Sequence, residues 1–388
     1  MTKKHYEWEI GGTPPEILRH SQVKHDLLRD YLVDYFLTLV TAPGQERVQL
    51  TIVDGFCGGG LYREKSGREV PGSPLVILQA VKEAQARVML QMQRHKPIDF
   101  DVKLICIDID PSAIAHLRYV LEGHGYGDKL RSSAIETLTG DFYELSEPVI
   151  NEVDRRSPRA GRAIFILDQY GYDKVPLATI STIFKRFKGA EVILNFNVDS
   201  LINFLNPKNL SDFERKTGIK DAVPADLLDK ETRLPDYRRT VQSNLHQRII
   251  EGSGAKYFTP FFIRPERGHG DYWLLHLSQH AKARDVMATT HWKHNNHFAH
   301  YGGSGFEMLS AGYAAKIDDQ EKPQMGFLFD DMAEKASIEV MLEQIPRYLS
   351  ANQSGISFEE FFIQRMNSTP ATRSMVEKTV LRLVHEND

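Results

Sequence analysis

At 388 residues, 41% hydrophobic and 26% charged, the chain has an ordinary globular composition, long enough for two domains or for one large domain with an appendage. A net charge of -4 excludes a uniformly basic nucleic-acid coat but leaves room for a local basic groove. Only two cysteines occur, Cys57 and Cys106, and no C-x-x-C pair, which excludes a disulfide scaffold or zinc ribbon; with no signal peptide and no long apolar run, the expected location is the cytoplasm, away from membranes.

In chain order, Glu16 to Val40 carries Leu27, Leu28, Tyr31, Leu32, Tyr35 and Phe36 at helical spacing and reads as a long amphipathic helix. LTIVDGF is a short apolar run of the kind that forms a buried parallel strand. A helix follows over SPLVILQAVKEAQARVMLQM, with Ser73 at its cap and Pro74 in its first turn. VKLICIDID is the second strand, and PSAIAHLRYVLEG a helix capped by Asp110. The alternation continues through AIETLTGDF, RAIFILDQYG, LATISTIFKRF and AEVILNFN. Such alternation predicts an α/β fold, a Rossmann-like, mostly parallel, doubly wound sheet.

Residues 206–250 read as a charged insertion of no clear type. KYFTPFFIR and DYWLLHLS then read as paired closing strands, and HAKARDVMATTHW as a helix. The expected division is a main domain over 1–305, a linker over 306–332 and a small helical module over 333–388. In that tail, SIEVMLEQIPRYL, ISFEEFFIQRM and ATRSMVEKTVLRLVHE are three amphipathic segments matching a helix-turn-helix, winged-helix-like module, or else a helical lid.

Ligands of doubly wound sheets bind outside the carboxyl ends of the strands. The first strand ends in Asp54-Gly55-Phe56-Cys57-Gly58-Gly59-Gly60, whose glycines allow close backbone approach. The second ends at Asp108, suited to accept ribose hydroxyls, and the third at Gly140-Asp141-Phe142, an acceptor for an adenine amine beside an aromatic edge. Three acidic strand ends fit an adenosine without phosphates, whereas each alone is equally a helix cap or surface charge. The dehydrogenase pattern G-x-G-x-x-G is missing its third glycine, and no Walker lysine occurs in the first turn. The fourth strand ends in Asp168-Gln169-Tyr170-Gly171-Tyr172: a carboxylate and a main-chain carbonyl to hold an amine, and a ring to stack on a base drawn out of its helix. These features predict S-adenosylmethionine-dependent methyl transfer to a nucleic-acid base, with Asp168, Gln169 and Tyr170 on the acceptor. The alternative is a bland strand end with core tyrosines.

Lys24-His25, VDGFCGGGLY, Pro71-Gly72-Ser73-Pro74, LDQYG and KARDVM together resemble the three-Cys-motif partner proteins over most of the chain. More distantly, the Lys-His pair, the glycine loop and Pro-Gly-Ser-Pro-Leu resemble the ribosomal RNA adenine-N6 methyltransferases of the RlmJ type. The resemblance implies a class I methyltransferase fold and a cofactor site including Lys24, Asp54, Gly58, Gly60, Ser73, Asp108 and Asp141, with Gly55, Phe56 and Phe142 beside it. It also implies a partner protein bearing a three-cysteine motif, and so a second reading as a non-catalytic cofactor- or nucleic-acid-binding partner. The chain departs from the adenine-N6 pattern Asp-Pro-Pro-Tyr: Gln169 and Tyr170 replace the prolines and Gly171 the aromatic, leaving Tyr170 or Tyr172 as the stacking ring. His291, His294, His297 and His300 recur every third residue, but the following glycines end the helix inside the run and no metal is expected.

Overall fold

The apolar runs become five parallel strands. They are β1 (Arg47–Asp54), β4 (Asp99–Asp108), β5 (Ile135–Thr139), β6 (Ala163–Leu167) and β7 (Ala190–Phe196), adjacent in the order β7-β6-β1-β4-β5. The computed structural model describes residues 6–42, 44–93, 96–197, 201, 205–221, 223, 237–263, 272–294, 298–300, 304–306, 327–351 and 354–386. They fall into two compact units, Met1–Phe196 and Asn197–Asp388.

In the first unit, helix α1 (Arg19–Leu39) precedes the sheet, and helices α2 (Ser73–Gln91), α3 (Pro111–Gly123), α4 (Gly127–Arg131), α5 (Phe142–Arg156) and α6 (Leu177–Arg186) connect the strands. The chain winds from β1 outward to β4 and β5, then returns to place β6 on the other flank of β1. The order reverses beside β1, the point at which a doubly wound sheet opens its ligand crevice. A small antiparallel hairpin, β2 (Leu61–Arg63) and β3 (Glu69–Pro71), stands between β1 and α2. β6 and β7 are buried along their whole length, because helices cover both faces.

The first helix starts later than its periodicity predicts. Glu16 forms a parallel bridge to Arg63, and Ile17 N–H donates to the Arg63 carbonyl at 2.9 Å. The open edge of β2 thus draws the segment after Pro14-Pro15 into extended backbone. Ser73 is likewise the first helical residue rather than the cap, which is Gly72. Asp110 does cap α3, accepting from the Ser112 N–H at 3.0 Å.

The second unit resolves the insertion into helices α7 (Leu210–Thr217) and α8 (Tyr237–Ser253). β8 (Tyr257–Ile263) and β9 (Tyr272–Ser278) form the expected antiparallel pair, followed by α9 (Ala281–Lys293), β10 (Phe298–His300) and β11 (Phe327–Leu328). The predicted linker lies mostly outside the described residues, as does His297. The tail forms α10 (Asp331–Ala351), α11 (Phe358–Arg365) and α12 (Arg373–Glu386) around a core of Phe306, Met341, Ile345, Phe361, Phe362 and Met375. Ser357 and Glu360 make the reciprocal capping box that begins α11.

α9 clasps this tail. The Arg284 side chain is fully buried, and its guanidinium donates to the carbonyls of Thr369 and Ala371. Asp285 accepts from the Arg373 N–H at 2.8 Å, and the Trp292 indole N–H donates to the Pro370 carbonyl at 2.9 Å. Among the described residues no helix is long and apolar enough to cross a membrane.

Candidate functional site

Register decides which strand-end groups meet. Asp54 lies opposite Cys106 on β4 and opposite Ile166 on β6, so strand alternation puts Asp54 and Asp108 on one face, with Asp168 directly after β6. Asp54 is buried, and one of its carboxylate oxygens has no hydrogen-bond partner among the described residues. Burial pushes its pKa up to about 7; the nearby Ser73 hydroxyl and Phe56 amide pull it down, while the charges of Asp168 and Asp108 add to the rise. At neutral pH this carboxyl is poised between its two forms.

Helix α1 carries a cation into the acidic cluster. The Lys24 ammonium lies 2.5 Å from both oxygens of Asp168, with the lysine mostly buried and the aspartate about one-third exposed. Two turns further along α1, the Tyr31 hydroxyl donates to buried Glu191 of β7, which fixes the helix against the sheet. Lys24, placed with the cofactor by resemblance, and Asp168, placed with the acceptor, therefore form one ion pair. The next residue, His25, has its pKa lowered to about 4 by burial and by Lys24, against the opposing pull of Asp168 and a hydrogen bond to the Pro71 backbone.

The glycine loop is pinned from several sides. Gly58 and Gly60 adopt φ of +59° and +80°, the left-handed region where a side chain is strained. The Gly58 N–H donates to Asp108 at 2.9 Å, and the other Asp108 oxygen accepts the Asp110 N–H at 2.8 Å. Asp108 thus shapes the loop from the end of β4. His116 Nδ1 lies 2.7 Å from the Gly59 carbonyl, so that nitrogen carries the proton. Gly55 packs so tightly on Phe142 and Leu167 that a Cβ there would stand 2.9 Å from each. Phe142 is buried with its ring tilted against Phe56 at 6.2 Å, and Asp141 caps α5 by accepting the Tyr143 N–H at 2.8 Å.

On the acceptor side, Gln169 is buried. Its side-chain oxygen accepts from Lys174 N–H at 2.9 Å and Val175 N–H at 3.1 Å, closing the loop that follows Asp168. Tyr170 is 74% exposed at the crest of that loop, before Gly171 at φ +99°, while the Tyr172 ring lies 6.2 Å from Phe196. Of the two tyrosines, Tyr170 is the more exposed.

Sequence reading missed the aromatic cover of the loop. The Trp8 indole donates to the Leu61 carbonyl at 3.3 Å and lies where any Cβ on Gly59 would collide with it. Tyr6 and Tyr62 complete the cluster, with ring centroids 5.3 to 5.8 Å apart. The signal available was the unusually aromatic YEW preceding the first helix.

A family model described as a GMT-like wHTH domain matches residues 312–388. No curated protein matches the chain significantly. Solved structures that match include an rRNA methylase from Streptococcus thermophilus, 12% identical, covering 68% of this chain and 97% of that one at a TM-score of 0.30. P. horikoshii TYW2 in complex with MeSAdo is 11% identical, covering 72% of this chain and 70% of that one at 0.30. The bifunctional kinase-methyltransferase WbdD is 10% identical over 66% of this chain, which spans only 39% of WbdD, at 0.32.

Proposed function

We propose that the protein is an S-adenosylmethionine-dependent methyltransferase acting on an exocyclic amine of a nucleic-acid base. The observation that carries this reading is the convergence of Asp54, Asp108 and the Lys24–Asp168 pair around a glycine loop at the switch point of a doubly wound sheet. Residues 1–305 would form the enzyme body and 333–388 its winged-helix-like module, joined by 306–332.

The residues present fit this cofactor. A buried carboxylate oxygen without a partner at Asp54 is suited to a cationic ligand, and the left-handed glycines keep the loop free of side chains. Asp54, Gly55, Phe56, Gly58, Gly60, Ser73 and Asp108 would line the site, with Asp141 and Phe142 at the adenine end. When bound, the cofactor supplies an electrophilic methyl group on sulfonium sulfur. Asp168 would hold the acceptor amine and favour the developing ammonium, with the main-chain carbonyl of Gln169 as second acceptor and Tyr170 stacking on the base. Gains of this kind come from alignment and fixed charge. Lys24 must yield part of its hold on Asp168 when an amine arrives.

That engagement favours a second reading, in which the protein holds cofactor or nucleic acid without turnover, as partner of a three-Cys-motif protein. Single-turnover transfer of labelled methyl to mixed DNA and RNA separates the two. Asp168→Asn is expected to lower the rate by roughly 10²–10⁴ while leaving S-adenosylhomocysteine affinity nearly unchanged. Transfer at the wild-type rate by the variant would remove Asp168 from the acceptor, and no transfer by wild type would leave the binding-partner reading.

A further inference from the structure

Two basic runs meet at the amino ends of β6 and β7. RRSPRAGR, residues 155–162, leads from α5 into β6, and KRFK, residues 185–188, leads from α6 toward β7. Ala163 and Ala190 are register partners in the sheet, so the turns just before them are neighbours. The Gly189 N–H donates to the Ala160 carbonyl at 3.0 Å. Gly161, at φ +53°, lies where a Cβ would stand 2.5 Å from the Phe187 ring. The two turns thus present one continuous surface.

Ion pairing divides the cations of these runs. Arg155 is held by Glu152, Arg156 by Asp101, and Arg186 by Glu147 and Asp154. Arg159, Arg162, Lys185 and Lys188 are exposed and make no ion pair among the described residues. The partial negative charge at a helix carboxyl end accounts for Lys185, in the last turn of α6. It does not account for Arg159, Arg162 and Lys188, which lie beyond the ends of α5 and α6. Four uncompensated positive charges therefore gather on one edge of a chain whose net charge is -4. They repel one another, and an anion laid across them relieves that repulsion.

The rest of the surface narrows the kind of anion. No large apolar side chain is exposed within residues 151–162 or 177–190. Between the cations stand Ser157, Pro158, Ala160, Gly161 and Gly189, all small. A protein partner is anchored by aromatic or aliphatic side chains, whereas a phosphate contact needs cations and accessible backbone. Arg162 precedes the first residue of β6 and Asp168 follows its last, so the edge lies about 20 Å from the acceptor side, at about 3.3 Å per residue.

We propose that this edge binds the phosphodiester backbone of nucleic acid, at the opposite end of the sheet from the glycine loop. The proposal concerns backbone binding alone. It holds equally for an enzyme and for a non-catalytic partner, so a failure of methyl transfer leaves it standing.

The experiment is fluorescence anisotropy of the full chain with a labelled 30-base-pair DNA duplex and the RNA duplex of the same sequence. Arg159→Gln, Arg162→Gln, Lys185→Gln and Lys188→Gln are combined in one variant. Between 50 and 200 mM salt the wild type should lose about 10²-fold more affinity than this variant, from four phosphate contacts at about 0.9 counterions each. Arg159→Lys with Arg162→Lys keeps the charge and should keep the wild-type slope. A control variant removes four cations outside both runs, Lys65→Gln, Lys129→Gln, Lys208→Gln and Lys220→Gln, and should also keep it. A wild-type slope in the first variant, or an equally flattened slope in the control, overturns the proposal. Displacement of the duplex by polyglutamate as effectively as by unlabelled duplex overturns it too, in favour of an acidic polypeptide.

Discussion

Asp54 is a buried residue whose chemistry calls for a charge. Its ordinary pKa of 3.8 rises to about 7 in the folded chain. The folded state therefore holds its proton more tightly than the unfolded one. This group's contribution to stability is complete below about pH 4 and is lost as pH rises through 7. A shift of this size corresponds to up to about 4 kcal/mol, at 1.36 kcal/mol per unit. Asp54→Asn cannot titrate, so its unfolding free energy should lack that fall between pH 4 and 8. Urea unfolding of both proteins across this range checks it, and parallel profiles would put the wild-type carboxylate in water. The role of Asp54 as a strand-end acid was legible in VDGF, but its burial was not. That depends on Ser73 and the hairpin closing over it, contacts that no local pattern encodes.

At the scale of elements, sequence periodicity found the strands and most helices because each is buried on a regular face. It misplaced the start of α1, where the edge of β2 competes with helical propensity for residues 15–17. It also could not foresee the Lys24–Asp168 pair, 144 residues apart in sequence, since only the packing of α1 across β7 brings them together. The α9 clasp on the tail is of the same kind. Arg284 is buried without a carboxylate hydrogen-bonded to its guanidinium among the described residues; two main-chain carbonyls take its protons, and burial lowers its pKa to about 10. Arg284→Ala would strand those carbonyls and open a cavity, at a cost of about 3–5 kcal/mol. Hydrogen exchange should show the amides of α12 opening sooner while those of β1 and β4 keep their protection. Unchanged protection in α12 would mean that the clasp does not hold the helix.

For the molecule as a whole, the question is what the tail is for. A helix-turn-helix reading assigns its last helix to nucleic acid, yet the cations there are engaged by acids of that helix and of neighbouring helices. Arg373 pairs with Glu359 and Glu377, Lys378 with Glu334, and Arg382 with Glu339. If α12 contacts phosphates, those pairs must be exchanged. Glu334→Gln with Glu339→Gln should then raise affinity for duplex DNA or RNA and steepen its salt dependence by about two counterions. Fluorescence anisotropy from 50 to 200 mM salt checks this, and an unchanged slope would favour the helical lid. The aromatic cover of the glycine loop has a consequence for watching any of this happen. Trp8 is the sole tryptophan in residues 1–196, whereas Trp273 and Trp292 belong to the other unit. With those two replaced by phenylalanine, emission excited at wavelengths that tryptophan alone absorbs comes from one indole resting on the loop. The crevice thus carries its own optical reporter, placed there by the fold.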